Sequence, residues 1–188
     1  MKNRNFILRL YQSKSTVFKI PEIGLLLGET NKDRLKARVS YYFKQGVIKR
    51  VRRNFYVKPE YNLFELATKI YTPSYISLET VLTKEGVTFQ YYKTIFVLSY
   101  LTRTLKIDNH QIQLRKVKND ILTNSKGLIQ KDNYFIATKE RAFLDALYLY
   151  KKYYFDNLDV LDKDKVLDLV EIYKNKALIK QVKELLRA

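Results

Sequence analysis

The chain has no cysteine and one histidine in 188 residues. Disulfides and thiol catalysis are thereby excluded. Structural zinc sites and Ser-His-Asp catalysis are starved of ligands and of a spare base. Tryptophan is also absent, although Tyr occurs 16 times and Phe 10 times. Most of those rings belong in a core or a half-buried surface, and composition alone assigns none of them to base stacking. The five glycines include no phosphate-cradling loop. No apolar run approaches the ~20 residues that a bilayer span needs. The apolar part of MKNRNFILRLYQSKS is too short for a signal peptide and lacks a small-residue cleavage site, so the expected location is cytoplasmic. No metal site and no cofactor is expected.

Acidic residues are scarce as well. There are 19 Asp and Glu against 36 Lys and Arg, a net charge of +17. Such an excess calls for an anionic partner, with nucleic acid ahead of an acidic protein or a membrane surface. The apolar fraction of 46% is enough for a packed core, and the length suits one or two domains. The charge is unevenly spread. Residues 1–58 hold 15 Lys and Arg against 3 Asp and Glu, whereas the remaining 130 residues hold 21 against 16.

The basic segment has a recognisable order. Asn3 to Tyr11 spaces Phe6, Ile7, Leu10 and Tyr11 as a helix. Val17-Phe18-Lys19 is short and extended before Pro21, which suits the first turn of a helix over Ile20 to Leu27. Ile23, Leu26 and Leu27 supply that helix's buried side, and Gly28 ends it. Thr30 or Asn31 then caps a helix running to Lys44, whose Leu35, Val39, Tyr42 and Phe43 are expected to face the core. Val47 to Lys58 reads as a β-hairpin with Arg53-Asn54 near its tip, Asn54 being able to adopt a positive φ.

Helix, helix, hairpin in this order is a winged helix-turn-helix pattern. A recognition helix presents its N-terminal residues to base edges. Thr30, Asn31, Lys32, Arg34, Lys36, Arg38 and Tyr41 are therefore the candidate contacts on the second helix. On the hairpin the candidates are Lys49, Arg50, Arg52, Arg53 and Asn54. Like charges crowded on one hairpin repel one another unless a polyanion lies beside them. The plain reading of the helix is a solvated face; the basic hairpin tips the balance to double-stranded DNA.

Residues 59–188 read as a second domain. Pro59 to Asn62 looks like a hinge, and Leu63 to Tyr71 an amphipathic helix. Ser77 is expected to cap a short helix that buries Leu78, Val81 and Leu82 and stops at Gly86. Strands follow at Ile95 to Leu98, Leu105 to Asp108, Gln111 to Lys118, Leu128 to Lys131 and Tyr134 to Ala137, with Asp108-Asn109 and Asp132-Asn133 as turns. Thr138 caps a helix from Lys139 to Lys152; helices at Lys163 to Lys174 and Ala177 to Leu186 close the chain. The expected class is α+β: a winged helix-turn-helix domain, then a mixed α/β domain with a small antiparallel sheet and C-terminal helices.

Three stretches carry a resemblance. They are Gly46-Val47-Ile48-Lys49-Arg50-Val51-Arg52-Arg53-Asn54-Phe55-Tyr56-Val57, Tyr75-Ile76-Ser77-Leu78-Glu79-Thr80-Val81-Leu82 with Gly86, and Ile136-Ala137-Thr138-Lys139-Glu140-Arg141-Ala142-Phe143-Leu144-Asp145. In this order the chain resembles AbiEi-type antitoxins, the transcriptional-regulator half of type IV toxin–antitoxin operons of abortive infection and phage defence. It departs at Asn54, Glu85 and Lys139, where Gly, His and Pro are common in the family. The resemblance implies an N-terminal domain that binds inverted repeats in its own promoter and a C-terminal domain that counteracts a nucleotidyltransferase-like toxin, directly or indirectly. A monomer or weak dimer without enzymatic activity is expected.

Ser77, Glu79, Arg141 and Asp145 are the candidate antitoxin surface. Their structural alternatives are a helix cap, a dipole-favoured first-turn acid and an i,i+4 ion pair. Glu79, Asp108, Asp120 and Lys118 could be assembled into a metal nuclease centre, but no spacing demands it. The alternative function is an RNA-binding or toxin-binding module without operator recognition.

Overall fold

The computed structural model describes residues 2–150 and 152–186, and shows a mixed α+β protein. Among the described residues there are nine α-helices, one 3₁₀ turn and two sheets. None of these helices is long and apolar enough to cross a membrane. The chain divides into two compact units, Met1–Leu66 and Ala67–Ala188.

The N-terminal unit contains α1 (Lys2–Gln12), β1 (Val17–Lys19), α2 (Ile20–Leu27), α3 (Lys32–Lys44), β2 (Lys49–Arg52) and β3 (Phe55–Val57). Pro21 occupies the first turn of α2, and Glu22 reaches back to accept the Lys19 amide at 2.6 Å, so the helix start is satisfied from both sides. Phe6, Leu10, Phe18, Ile23, Leu35, Val39, Tyr42 and Ile48 form one buried cluster. Burying each such side chain favours the fold by about 1.5–3 kcal/mol. Three expected core rings and chains stay outside: Ile7 is 38%, Tyr11 60% and Phe43 43% exposed. They sit at the edge of their helical stripes, which here are only wide enough for Phe6 with Leu10 and for Leu35, Val39 and Tyr42.

The strands form an antiparallel sheet in the order β1-β3-β2. The segment expected to be a hinge is instead tied into this unit. Asn62 donates its amide to Thr16 Oγ1 at 2.9 Å. Glu65, 1% exposed, accepts the Thr16 amide at 2.9 Å and the Thr16 hydroxyl at 2.6 Å. These bonds carry the unit past Lys58 to Leu66, inside α4 (Leu63–Lys69).

The second unit is built on a six-stranded sheet ordered β6-β7-β5-β4-β9-β8. The strands are β4 (Ser74–Ile76), β5 (Thr94–Ser99), β6 (Arg103–Ile107), β7 (His110–Lys116), β8 (Leu128–Lys131) and β9 (Tyr134–Ala137). The expected small antiparallel sheet is thus larger and mixed: β5 runs parallel to β7, and β4 parallel to β9. The hairpin turns fall where Asp-Asn pairs stand, with φ +50° at Asp108 and +45° at Asp132. Short helices α5 (Glu79–Lys84) and α6 (Asn119–Leu122) precede the long α7 (Lys139–Leu149). α7 stops short of the expected Lys152, because Tyr150 turns extended; Lys151 lies outside the described residues. The next expected helix splits into α8 (Lys163–Leu169) and a 3₁₀ turn (Val170–Tyr173), ended by Lys174 at φ +47°. Asn175 caps α9 (Lys176–Leu185).

Candidate nucleic-acid interface

α2 and α3 are joined by a tight corner. Gly28 takes φ +62°, and the Glu29 amide returns to the Gly24 carbonyl at 3.0 Å, which closes α2. Gly24 is buried where the two helices meet. A Cβ there would stand 3.0 Å from Leu35 Cδ2 and 3.2 Å from the Glu29 carbonyl oxygen, so glycine sets how closely α3 approaches. Asn31, rather than Thr30, is the cap: its Oδ1 accepts the amides of Asp33 at 3.1 Å and Arg34 at 3.0 Å.

With Leu35, Val39 and Tyr42 turned inward, Arg34, Ala37, Tyr41 and Lys44 fall in one exposed row of α3. Lys32 and Lys36 flank it, Lys36 in loose contact with Asp33 at 3.4 Å. Arg38 is less available. Its guanidinium is 3.9 Å from Glu29, its side chain is 28% exposed, and it lines a hollow with Arg9 and Glu29. Ala37, Ser40 and Lys44, absent from the sequence-based candidates, are exposed on α3 as well. The 3.6-residue spacing from Leu35 already places these outermost.

The hairpin bends at Arg53-Asn54, where Asn54 takes φ +65°, with a register shift between Arg50 and Arg52. Arg50 holds the hairpin to α3, its guanidinium carbon 5.6 Å from the centre of the Phe43 ring. This contact also accounts for Phe43 remaining at the surface. Lys49 donates to the Pro59 carbonyl at 3.1 Å. Arg50, Arg52 and Arg53 line a polar hollow with Tyr56.

A larger groove, about 660 Å³, lies beside the start of α3. Ile20, Leu25 and Leu35 give it apolar lining, and Lys19, Lys32 and Lys36 line it as well. Asn54 of the hairpin turn reaches the same groove. The first turns of α3 and the hairpin tip therefore share one concave, lysine-bearing surface. Lys19, absent from the sequence-based candidates, belongs to it; its ammonium lies 5.4 Å from the Phe55 ring centre.

The four candidates of the second unit are buried and do not form a surface. Ser77, Arg141 and Asp145 are fully buried, and Glu79 is 6% exposed. Ser77 is not a cap. The chain turns at Leu78, with φ +55°, and α5 starts without a side-chain cap. The Ser77 hydroxyl instead donates to Asp145 Oδ2 at 2.7 Å. Tyr173 donates to Asp145 Oδ1 at 2.6 Å. Arg141 lies 3.5 Å from the same carboxylate and donates to the carbonyls of Lys126 and Ile121 at 2.7 Å each. With a further bond from Arg141 to the Tyr75 hydroxyl at 3.2 Å, this one ion pair fastens β4, α6, α7, the 3₁₀ turn and the loop before β8. Glu79 accepts the Tyr150 hydroxyl at 3.3 Å, and burial pushes its carboxyl above the usual carboxylate range.

The acids of the conceivable nuclease centre do not come together. Asp108 occupies the β6–β7 turn, and Asp120 on α6 pairs with Lys174 at 3.5 Å. Among the described residues, no group of three or more His, Asp or Glu side chains is placed to hold a metal ion. No protein-family model matches the chain, and no curated protein matches it.

Proposed function

We propose that the N-terminal unit is a winged helix-turn-helix that binds duplex DNA, α3 entering the major groove and the β2–β3 hairpin serving as the wing. The supporting observation is the shared groove, in which Lys32 and Lys36 of α3 meet Asn54 of the hairpin turn. A duplex seated there has its phosphates beside Lys19, Lys32 and Lys36, while Arg34, Ala37 and Tyr41 face base edges. The small Ala37 allows close approach and suits a thymine methyl. Arg52 and Arg53 lie along the flanking backbone, where their contacts position without reading sequence.

On the resemblance of its three sequence stretches, the chain is a repressor of its own operon and the cytoplasmic antitoxin of an AbiEi-type pair. In that role two copies occupy the halves of an inverted repeat. The second unit supplies the antitoxin activity, and because Ser77, Arg141 and Asp145 are buried, they support it as scaffold and not by contact. A reporter driven by the DNA upstream of the gene tests the first role. Expression of the chain represses it, and R34A with R53A relieves repression. Growth rescue on co-expression with a neighbouring nucleotidyltransferase-like reading frame tests the second. An unrepressed reporter overturns the repressor assignment, and absence of rescue overturns the antitoxin assignment.

A further inference from the structure

Two turns of the second unit are clasped together by three backbone-centred hydrogen bonds. Asp156 Oδ2 accepts the Phe89 amide at 2.8 Å. The amides of Asp156 and Asn157 donate to the Val87 carbonyl at 3.1 and 3.2 Å. Beneath the clasp the rings are packed. Phe155 lies 4.7 Å from both Phe143 and Tyr153, and Tyr153 stacks on Tyr150 at 5.3 Å with an interplanar angle of 17°. Thr83 braces the first turn by donating to the Gln90 carbonyl at 3.0 Å.

Three further rings of the same two turns point outward. Phe89 is 69%, Tyr91 76% and Tyr154 82% exposed. Phe89 and Tyr154 each lie within two residues of the Phe89–Asp156 bond, so the clasp brings their backbones near one another. A single exposed ring is ordinary, but several on one braced loop pair mark a recognition surface. Charge selects its partner. Residues 84–93 and 150–157 carry four lysines against Glu85 and Asp156, and the exposed Lys93 and Lys152 stand two residues from Tyr91 and Tyr154 in the chain.

Exposed rings among lysines combine base stacking with phosphate attraction, the requirements of a single-stranded nucleic acid. We infer that Phe89, Tyr91 and Tyr154 form a stacking platform for unpaired bases, separate from the duplex-binding surface of the N-terminal unit. The rings take bases of any identity, because every base has a π face, so the platform selects strandedness and not sequence.

The absence of tryptophan makes a direct test available. Tyr154→Trp gives the full chain one indole, whose emission is quenched when a base stacks on it. A 12-residue oligouridylate quenches that emission, and a blunt duplex of the same length does not. Replacing Phe89, Tyr91 and Tyr154 together by Ala weakens oligouridylate binding at least about tenfold while leaving duplex binding and the circular dichroism unchanged. Unaltered oligouridylate affinity in that variant overturns the platform, since the strand is then held by the basic N-terminal unit. Absence of quenching by either nucleic acid also overturns it, and leaves the rings to a protein partner.

Discussion

Arg38 and Glu29 meet at 3.9 Å across the corner between α2 and α3. Glu29 also accepts the Asn31 amide at 3.1 Å, so one carboxylate restrains both the helix cap and a cation that, on the proposed reading, would otherwise face phosphate. Glu29→Gln removes a negative charge from the interface and releases Arg38. The expected result is tighter binding to any duplex. The log–log salt slope steepens by about 0.9 if Arg38 gains one phosphate. Salt titration of the two proteins on one scrambled duplex checks this; parallel slopes count against it.

On the proposed duplex-binding reading the two basic elements have different tasks, and substitution separates them. Arg34 stands in the exposed row of α3, so Arg34→Ala relaxes base preference at one or two operator positions, at about 1–3 kcal/mol per lost contact. Arg53 is exposed at the hairpin tip, so Arg53→Ala weakens selected and scrambled duplexes alike. Competition binding against a panel of singly altered duplexes measures both effects. Identical behaviour of the two variants removes the division between reading and positioning.

In the second unit, the buried pair Arg141 and Asp145 is the point of greatest sensitivity. Removing either partner leaves the other uncompensated away from water, at a cost of about 3–5 kcal/mol. Asp145→Ala also removes the acceptor of the Ser77 hydroxyl, and Arg141→Ala the side-chain donor to the Lys126 carbonyl. Urea denaturation followed through the second unit reads the loss. The double variant loses less than the two singles added together, and simple additivity contradicts the coupling.

Glu79 gives the fold a pH dependence of definite sign. Its carboxyl titrates higher in the folded chain than in the unfolded one, because burial disfavours the ionised form more than the Tyr150 hydroxyl and Arg115 favour it. The contribution is fully present below the ordinary carboxylate pKa of about 4.3 and is withdrawn as pH rises through the raised folded value. Glu79→Gln therefore gains stability relative to the parent at pH 7 and gains less at pH 4. Thermal unfolding at the two pH values tests it, and an equal difference at both contradicts the assignment.

What was legible in the sequence was local. Leu35, Val39 and Tyr42 announce the buried stripe of α3, and Asn54, Asp108 and Asp132 announce tight turns, because short polar side chains tolerate positive φ. Phe43 was misplaced because its alternative, a contact with Arg50 on the next element, has no local signature. The partners of the second unit are further apart still. Ser77 meets Asp145 across 68 residues, and Ile76 pairs in parallel with Ile136. No periodicity encodes such pairings, so Ser77 looked like a cap and the mixed sheet like antiparallel hairpins. The groove at α3 is half legible: Lys32, Lys36 and Asn54 stand out by charge or turn propensity, whereas Lys19 enters only because β1 pairs with β3 and brings it opposite Phe55.

On the proposed reading, the N-terminal unit binds duplex DNA through phosphate-neutralising cations and reads sequence from α3. A gel-shift titration at several salt concentrations tests it directly, comparing the duplex upstream of the gene with a scrambled duplex of equal length. The expected result is selective binding to the first, with a log–log salt slope of about −5 if six phosphates are neutralised. A slope near zero, or equally weak binding to both duplexes, would contradict it.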